Sequence, residues 1–233
     1  SRTLASGSLD QTVRLWSLAA PQSAPVVLRG HTASVRALAF NANGYALASG
    51  SNDGLALLWD VRKPESPPRR LQHEEAVRAV AFSPNGDYLA TGDEAHRVWR
   101  WDLEGGDKPR CEFRGHNGPI NAVTFSPDNK IIASASADGT AKLWDAQKPA
   151  IGELATLAHG YWVWSLAFNQ DGTQLATASS DNQIRLWVAR LDVLARRAKE
   201  KAERELTPEE WEKYIGKEGR DLPYERVRRP RGK

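Results

Sequence analysis

Short runs in which apolar positions alternate with small or polar ones recur along the first 188 residues, always in the same order. VRALAF (35–40), VRAVAF (77–82), INAVTF (120–125) and VWSLAF (163–168) are rich in β-branched and apolar residues and predict strands. Each is followed by a turn sequence, NANG, SPNG, SPDN or NQDG, whose last Gly or Asn tolerates positive φ. A second run such as YALASG or IIASAS comes next, then an Asp-centred turn and a third run such as TVRLW or TAKLW. The third runs end at Trp16, Trp59, Trp101, Trp144 and Trp187, at spacings of 43, 42, 43 and 43. His31, His73, His116 and His159 keep the same period. One unit is therefore a small antiparallel sheet, apolar on both faces. Stacking the units radially covers both faces.

Composition narrows the class without changing this picture. Of 233 residues, 40% are hydrophobic and 26% charged, the balance of a globular chain. No apolar run approaches the ~18 residues of a membrane-spanning helix, and no signal-peptide pattern opens the chain. The single cysteine, Cys111, cannot close an internal disulfide, so a reducing, cytoplasmic setting is expected. The absence of methionine points to a chain processed or cut from something longer. Charge is uneven: residues 190–233 carry 14 Lys/Arg against 10 Asp/Glu, whereas residues 1–189 carry 18 against 19.

The Gly-His pairs at Gly30-His31 and Gly115-His116, with the Trp-Asp pairs at Trp59-Asp60, Trp101-Asp102 and Trp144-Asp145, resemble the WD-repeat β-propeller family. Five units in register carry the resemblance, over residues 1 to about 188. It implies an all-β propeller of four-stranded antiparallel blades: four complete repeats plus a partial one, within a larger, seven-bladed ring. In the family the outer strand of the last blade commonly comes from the start of the propeller. That strand is expected on another chain or a removed segment, with self-assembly of two partial rings as the rival. The expected domains are a propeller portion, 1–188, and a helical tail with a basic terminus, 189–233.

Each unit also unites Asp, His and Ser or Thr, the residue types of a hydrolase triad. The resemblance implies instead a structural network in which Asp holds His, His meets the hydroxyl, and the hydroxyl meets the indole. Its members are Asp53, His31, Ser49 and Trp59; Asp138, His116, Ser134 and Trp144; and Asp181, His159, Thr177 and Trp187. Repetition favours architecture, because a nucleophile needs one site with an oxyanion pocket rather than a copy in every blade. Histidines some 42 residues apart do not converge on one ion. No catalytic residue, metal site or cofactor is expected, and His96 stands outside the series.

The unit ending at Trp101 is irregular. Ala95 replaces the turn Asp, Gln72 replaces the Gly before His73, and Arg100 and Trp99 replace Leu and Arg or Lys. On this reading His73 loses its carboxylate, with Glu94 compensating or pairing with Arg100.

In resembling propellers, partners are held on the face where the His-bearing loops and Asp turns emerge. Carried over by position, the candidates are Ser34 and Arg36, Ala76 and Arg78, Pro119 and Asn121, Trp162 and Trp164, with Leu9, Asn52, Glu94, Ala137 and Ser180 before the turns. Alternation along a strand aims Trp162 and Trp164 together and Val163 into the core. Two indoles beside Arg36 and Arg78 are residue types that dominate interfaces; the alternative is that they pack on a neighbouring blade or fill the ring centre.

In the tail, LTPEEWEKYIG (206–216) reads as a capped helix, with Thr207, Pro208 and Glu210 at its start, Trp211, Tyr214 and Ile215 on one face, and Gly216 as its stop. It resembles the segment after the last blade of large bacterial multidomain WD-repeat proteins such as signal-transduction ATPases. The expected function is a protein-interaction scaffold or sensor within such a protein, any catalysis lying in other modules. The alternatives are nucleic-acid binding through the basic run with Arg226, Arg228 and Arg229, and a hydrolytic enzyme.

Overall fold

The computed structural model describes residues 3–104 and 109–189; the tail helix and the basic terminus read from the sequence lie outside the described residues. The strands come in five sheets. The first contains β1 (Thr3–Gly7), β2 (Val13–Ser17) and β3 (Val26–Leu28). The second contains β4 (Val35–Phe40), β5 (Ala46–Ser51), β6 (Leu55–Asp60) and β7 (Arg69–Gln72). The third contains β8 (Val77–Phe82), β9 (Tyr88–Asp93), β10 (Val98–Asp102) and β11 (Pro109–Phe113). The fourth contains β12 (Ile120–Phe125), β13 (Ile131–Ser136), β14 (Thr140–Asp145) and β15 (Glu153–Ala158), with a short 3-10 turn at Pro149–Ile151. The fifth contains β16 (Val163–Phe168), β17 (Gln174–Ser179) and β18 (Ile184–Val188).

Every sheet is an antiparallel meander whose strands pair in chain order. The leading strands β4, β8, β12 and β16 pack on one another in succession, and β1 packs on β4. This is a partial β-propeller of blades with three or four strands. Among the described residues the first blade has no strand at the inner position and the last has none at the outer one.

Turn chemistry sets the register. Between the first and second strands, Gly44, Gly86, Asn129 and Gly172 take positive φ, the position at which each turn sequence ends. Between the second and third, Gln11, Gly54, His96, Gly139 and Asn182 do the same. His96 therefore belongs to the repeat after all, as the left-handed residue of its turn.

The core lies between blades. Val13, Leu15, Val35, Leu47, Leu57 and Trp59 fill the gap between the first two sheets. Ala48, Ala56, Leu71, Val77, Val80 and Trp101 fill the next, and Val98, Phe113, Ile120, Val123, Ile132 and Trp144 the one after. Small residues at one repeating position make room for the next blade. A Cβ on Gly7, Gly50 or Gly92 would lie 2.6 Å from Val35 Cγ1, 2.8 Å from Val77 Cγ1 or 2.3 Å from Ile120 Cγ2. On the fifth sheet Ile184 and Leu186 are 75% and 69% exposed, and on the first Leu4 is 56% exposed.

Candidate functional site

Two sets of residues compete as the functional site: the repeated Asp, His and hydroxyl groups, and the residues at the ends of the strands that carry them. In the second blade His31 Nδ1 lies 2.9 Å from Asp53 Oδ2 and Nε2 lies 2.8 Å from Ser49 Oγ, which accepts the Trp59 indole N–H at 2.8 Å. The fourth blade repeats this with His116, Asp138, Ser134 and Trp144 at 2.8, 2.7 and 2.8 Å. The tautomer that satisfies both ring nitrogens has Nδ1–H donating to the carboxylate and Nε2 accepting from the hydroxyl.

That is the bonding pattern of a triad, but the oxygen is sealed. Ser49 and Ser134 are fully buried and already take an indole N–H, so a substrate carbonyl has no approach to them. The chain Trp to Ser to His to Asp satisfies four buried polar groups at once. Asp138 collects further donors from the backbone N–H groups of Asn117 (2.9 Å) and Thr140 (2.8 Å) and from the Thr140 hydroxyl (2.7 Å). Burial pushes its carboxyl up, but His116, Thr140 and Asn117 outweigh that and hold it far below the usual range. Asp53 is lowered on the same balance, burial opposed by the Thr32 backbone and His31. Burial lowers His31 as well, which keeps its imidazole neutral.

Two blades depart from the pattern and correct the sequence reading. In the third, His73 does not lose its carboxylate. Asp93, two places before Ala95, brings one to ion-pair distance, with Oδ2 3.6 Å from His73 Nδ1, although that nitrogen is left without a hydrogen bond. Asp93 occupies the place of Ser51, Ser136 and Ser179; the Trp99 indole donates to its Oδ2 at 2.7 Å and the Arg97 backbone to its Oδ1 at 2.9 Å. His73 Nε2 still meets Thr91 at 3.2 Å, and Thr91 accepts from Trp101 at 2.9 Å. Nor does Glu94 pair with Arg100. Glu94 takes Arg78 at 3.2 Å, while Arg100 is buried, donates to the Ala146 carbonyl and lies over the Tyr88 ring at 4.5 Å. The signal for this rewiring was an Asp two residues early together with a Trp at 99.

In the fifth blade Asp181 does not hold His159. Arg185 stands between them, bonded to His159 Nδ1 and ion-paired to Asp181 Oδ2 at 2.6 Å. His159 keeps Thr177 at 2.9 Å, and Thr177 accepts from Trp187 at 2.8 Å. Burial first, and Arg185 second, lower the His159 pKa. Arg185 occupies the variable position of Arg14, Leu57, Trp99 and Lys142, so no single-blade rule would have found it.

The strand ends are built as regularly as the network. In four blades the backbone N–H of the residue before the Asp turn donates to the residue before the inner strand: Asn52 to Ser34 (3.0 Å), Glu94 to Ala76 (2.9 Å), Ala137 to Pro119 (3.0 Å) and Ser180 to Trp162 (2.8 Å). Each inner strand is then bulged, with register shifts between Val35 and Ala37, Val77 and Ala79, Ile120 and Ala122, and Val163 and Ser165. The residues in the bulges are Arg36, Arg78, Asn121 and Trp164. A bulge frees one residue from the ladder and re-aims its side chain. Val163 is buried while Trp162 and Trp164 are both exposed, as alternation predicts; the bulge breaks the period only beyond Trp164, where Ser165 is exposed as well. The sequence-predicted candidates stand together, three to a blade.

Side chains close three of these groups: Arg36 Nε donates to Asn52 Oδ1 (2.9 Å), Arg78 to Glu94, and the Trp164 indole to Ser180 Oγ (2.6 Å). In the fourth blade Ala137 offers no acceptor. Asn121 instead donates across to the Val163 carbonyl of the next blade at 2.9 Å, so it braces the tryptophan-bearing strand. Trp162 and Trp164 are 53% and 45% exposed and meet edge to face with centroids 5.4 Å apart. They fill no core. Tyr161 beside them is exposed too, a residue the sequence reading passed over, and Leu9 is exposed at the first blade's turn.

A family model, the IFT122 first beta-propeller, matches residues 1–187. The chain belongs to that family. It is a WD40-type β-propeller, a kind of domain that is generally a protein-interaction scaffold and typically not catalytic. Among curated proteins none matches. Among the described residues no three His, Cys, Asp or Glu side chains are grouped to hold a metal ion, and no helix is long and apolar enough to cross a membrane.

Proposed function

We propose that this propeller docks a protein partner on the face that carries the four bulge residues, with Trp162 and Trp164 as its anchors, and that it performs no chemistry of its own. The observation that carries the reading is the exposed indole pair. Two tryptophans held edge to face by backbone and side-chain bonds leave apolar area in water, which a partner's burial would recover. Their rigidity lowers the ordering cost of binding. Arg36 and Arg78 extend the face around the inner strands. The repeated His, Asp and hydroxyl groups brace the blades that hold it.

The wider role is that of a scaffold or sensor module inside a larger bacterial signalling or effector protein of the cytoplasm, supported by the likeness of the 206–216 stretch to such proteins. On the same reading residues 1–188 are the propeller portion and 189–233 a tail.

The test is capture of a partner from an extract of the source organism by the full chain and by its Trp162→Ala/Trp164→Ala variant. Both side chains are substantially exposed, so the variant should keep the urea midpoint of the parent. Loss of capture with the midpoint unchanged supports the reading. Undiminished capture contradicts it.

A further inference from the structure

The docking face is chemically graded, and the gradient specifies a partner. At its fifth-blade end it presents Tyr161, Trp162 and Trp164, three exposed aromatic rings in four residues. In the fourth blade the corresponding positions are Gly118, Pro119 and Asn121, and Ala137 stands where Ser180 does, uncharged throughout. The Asn121 amide is already spent on the Val163 carbonyl, so this blade offers a partner no charge. In the third, the Arg78 charge is matched by Glu94 at 3.2 Å, and Glu75, at the position of Tyr161, adds an exposed carboxylate rather than a cation. In the second, Arg36 bonds only through Nε and only to a neutral partner, the Asn52 amide. Its two terminal nitrogens make no bond or ion pair among the described residues, and the side chain is exposed. Asp53, the nearest carboxylate in sequence, is turned inward to His31 and the Thr32 backbone. The face thus carries one aromatic pole and one unneutralised cation, separated by blades that offer neither.

The separation can be bounded. Packed sheets lie roughly 10 Å apart, so three blade intervals put Arg36 within about 30 Å of Trp164. An extended chain rises about 3.3 Å per residue, and about nine residues cover that distance. Resting on the docking reading above, we propose that the ligand is a linear peptide segment with an aromatic or large aliphatic side chain for the tryptophans and, within about nine residues, an Asp or Glu for Arg36. The indoles supply affinity through apolar burial. Arg36 supplies orientation and selectivity, since a guanidinium takes a carboxylate through two parallel N–H bonds. A basic segment would bring like charge to Arg36 and is rejected.

The experiment uses the full chain and a random twelve-residue peptide library, followed by titration of one fluorescein-labelled enriched peptide. The enriched sequences should combine an acidic residue with Trp, Phe, Leu or Ile at no more than nine residues' separation. Trp162→Ala/Trp164→Ala should weaken the peptide at least thirtyfold. Arg36→Glu should weaken it about tenfold, and replacing the peptide's acidic residue by Lys should restore binding to Arg36→Glu while weakening the parent. Restoration by charge exchange is a result that a merely structural role for Arg36 would not produce. Enriched peptides without acidic residues, or no recovery on charge exchange, overturn the inference while dependence on the tryptophans leaves the docking function standing. Peptides indifferent to both substitutions overturn both. Failure to enrich any peptide, or displacement of the labelled peptide by a single-stranded oligonucleotide, also overturns the inference.

Discussion

Replacing Gly92 by Ala pushes a methyl group into the side of the next blade. The new Cβ would lie 2.3 Å from Ile120 Cγ2, 2.7 Å from Ile120 Cβ and 3.3 Å from Val123 Cγ1. A rotamer change could withdraw Cγ2, but Cβ is fixed to the inner strand, so relief requires β9 and β12 to move apart. Overpacking of this kind costs about 1–3 kcal/mol, and a clash against Cβ belongs near the top of that range. Removing a glycine from the unfolded chain returns about 0.5–1 kcal/mol. A net loss of about 2 kcal/mol is therefore expected. Urea denaturation of the parent, Gly92→Ala, Ile120→Ala and the double variant forms a cycle that isolates the contact. Ile120→Ala alone leaves a cavity and should cost about 2–5 kcal/mol. The double variant should fall short of the sum of the singles by about 2 kcal/mol, because the alanine methyl then occupies the vacated space. Repeat arrays can unfold blade by blade, so amide exchange in β8–β13 should be read alongside the global midpoint. A neutral Gly92→Ala, or strictly additive singles, would refute the close approach of these two blades.

Three further predictions follow from the differences between blades. Asp138→Ala, which strips four donors of their acceptor and leaves His116 unmatched, should lower stability by about 3 kcal/mol; Asp181→Ala, whose partner is Arg185 rather than His159, should lower the urea midpoint less. Stability should fall as pH drops through the ordinary histidine value near 6.5, because His31 and His159 are held below it and the unfolded chain takes up protons first. It should fall again below the ordinary aspartate value of 3.8, where the depressed carboxyls of Asp53, Asp93 and Asp138 lose their advantage; a urea midpoint that rises between pH 7 and 5 would contradict the assignment. His96→Gly should raise stability by up to about 1 kcal/mol, since histidine pays for a φ of 67° that glycine adopts freely, and an unchanged or lower melting temperature would count against it.

The strand order and the position of each turn were legible in the sequence, because both follow from local alternation and from Gly or Asn at fixed places. The hydrogen-bonded networks around His31 and His116 were legible, because no long side chain competes for the histidine there. They were not legible where long side chains decide the outcome. Arg185 reaches His159 and Asp181 from a neighbouring strand, and Asp93 serves His73 from the position of a serine. The bulges were hidden for a different reason. They add one residue to an inner strand without breaking its apolar run, so period-two reading runs straight through them. The exposure of Trp162 and Trp164 was likewise undecidable in one dimension, since a tryptophan beside a valine suits a core as well as a surface.

One face of the propeller is proposed to bind while the repeated polar network only supports it. The direct measurement is site-specific photocrosslinking, with a benzophenone amino acid placed in turn at 36, 78, 162 and 164 and, at the opposite strand ends, at 43 and 85. Adducts to one common partner are expected from the first group and none from the second. Equal adducts from both ends, or adducts only from 43 and 85, would contradict it.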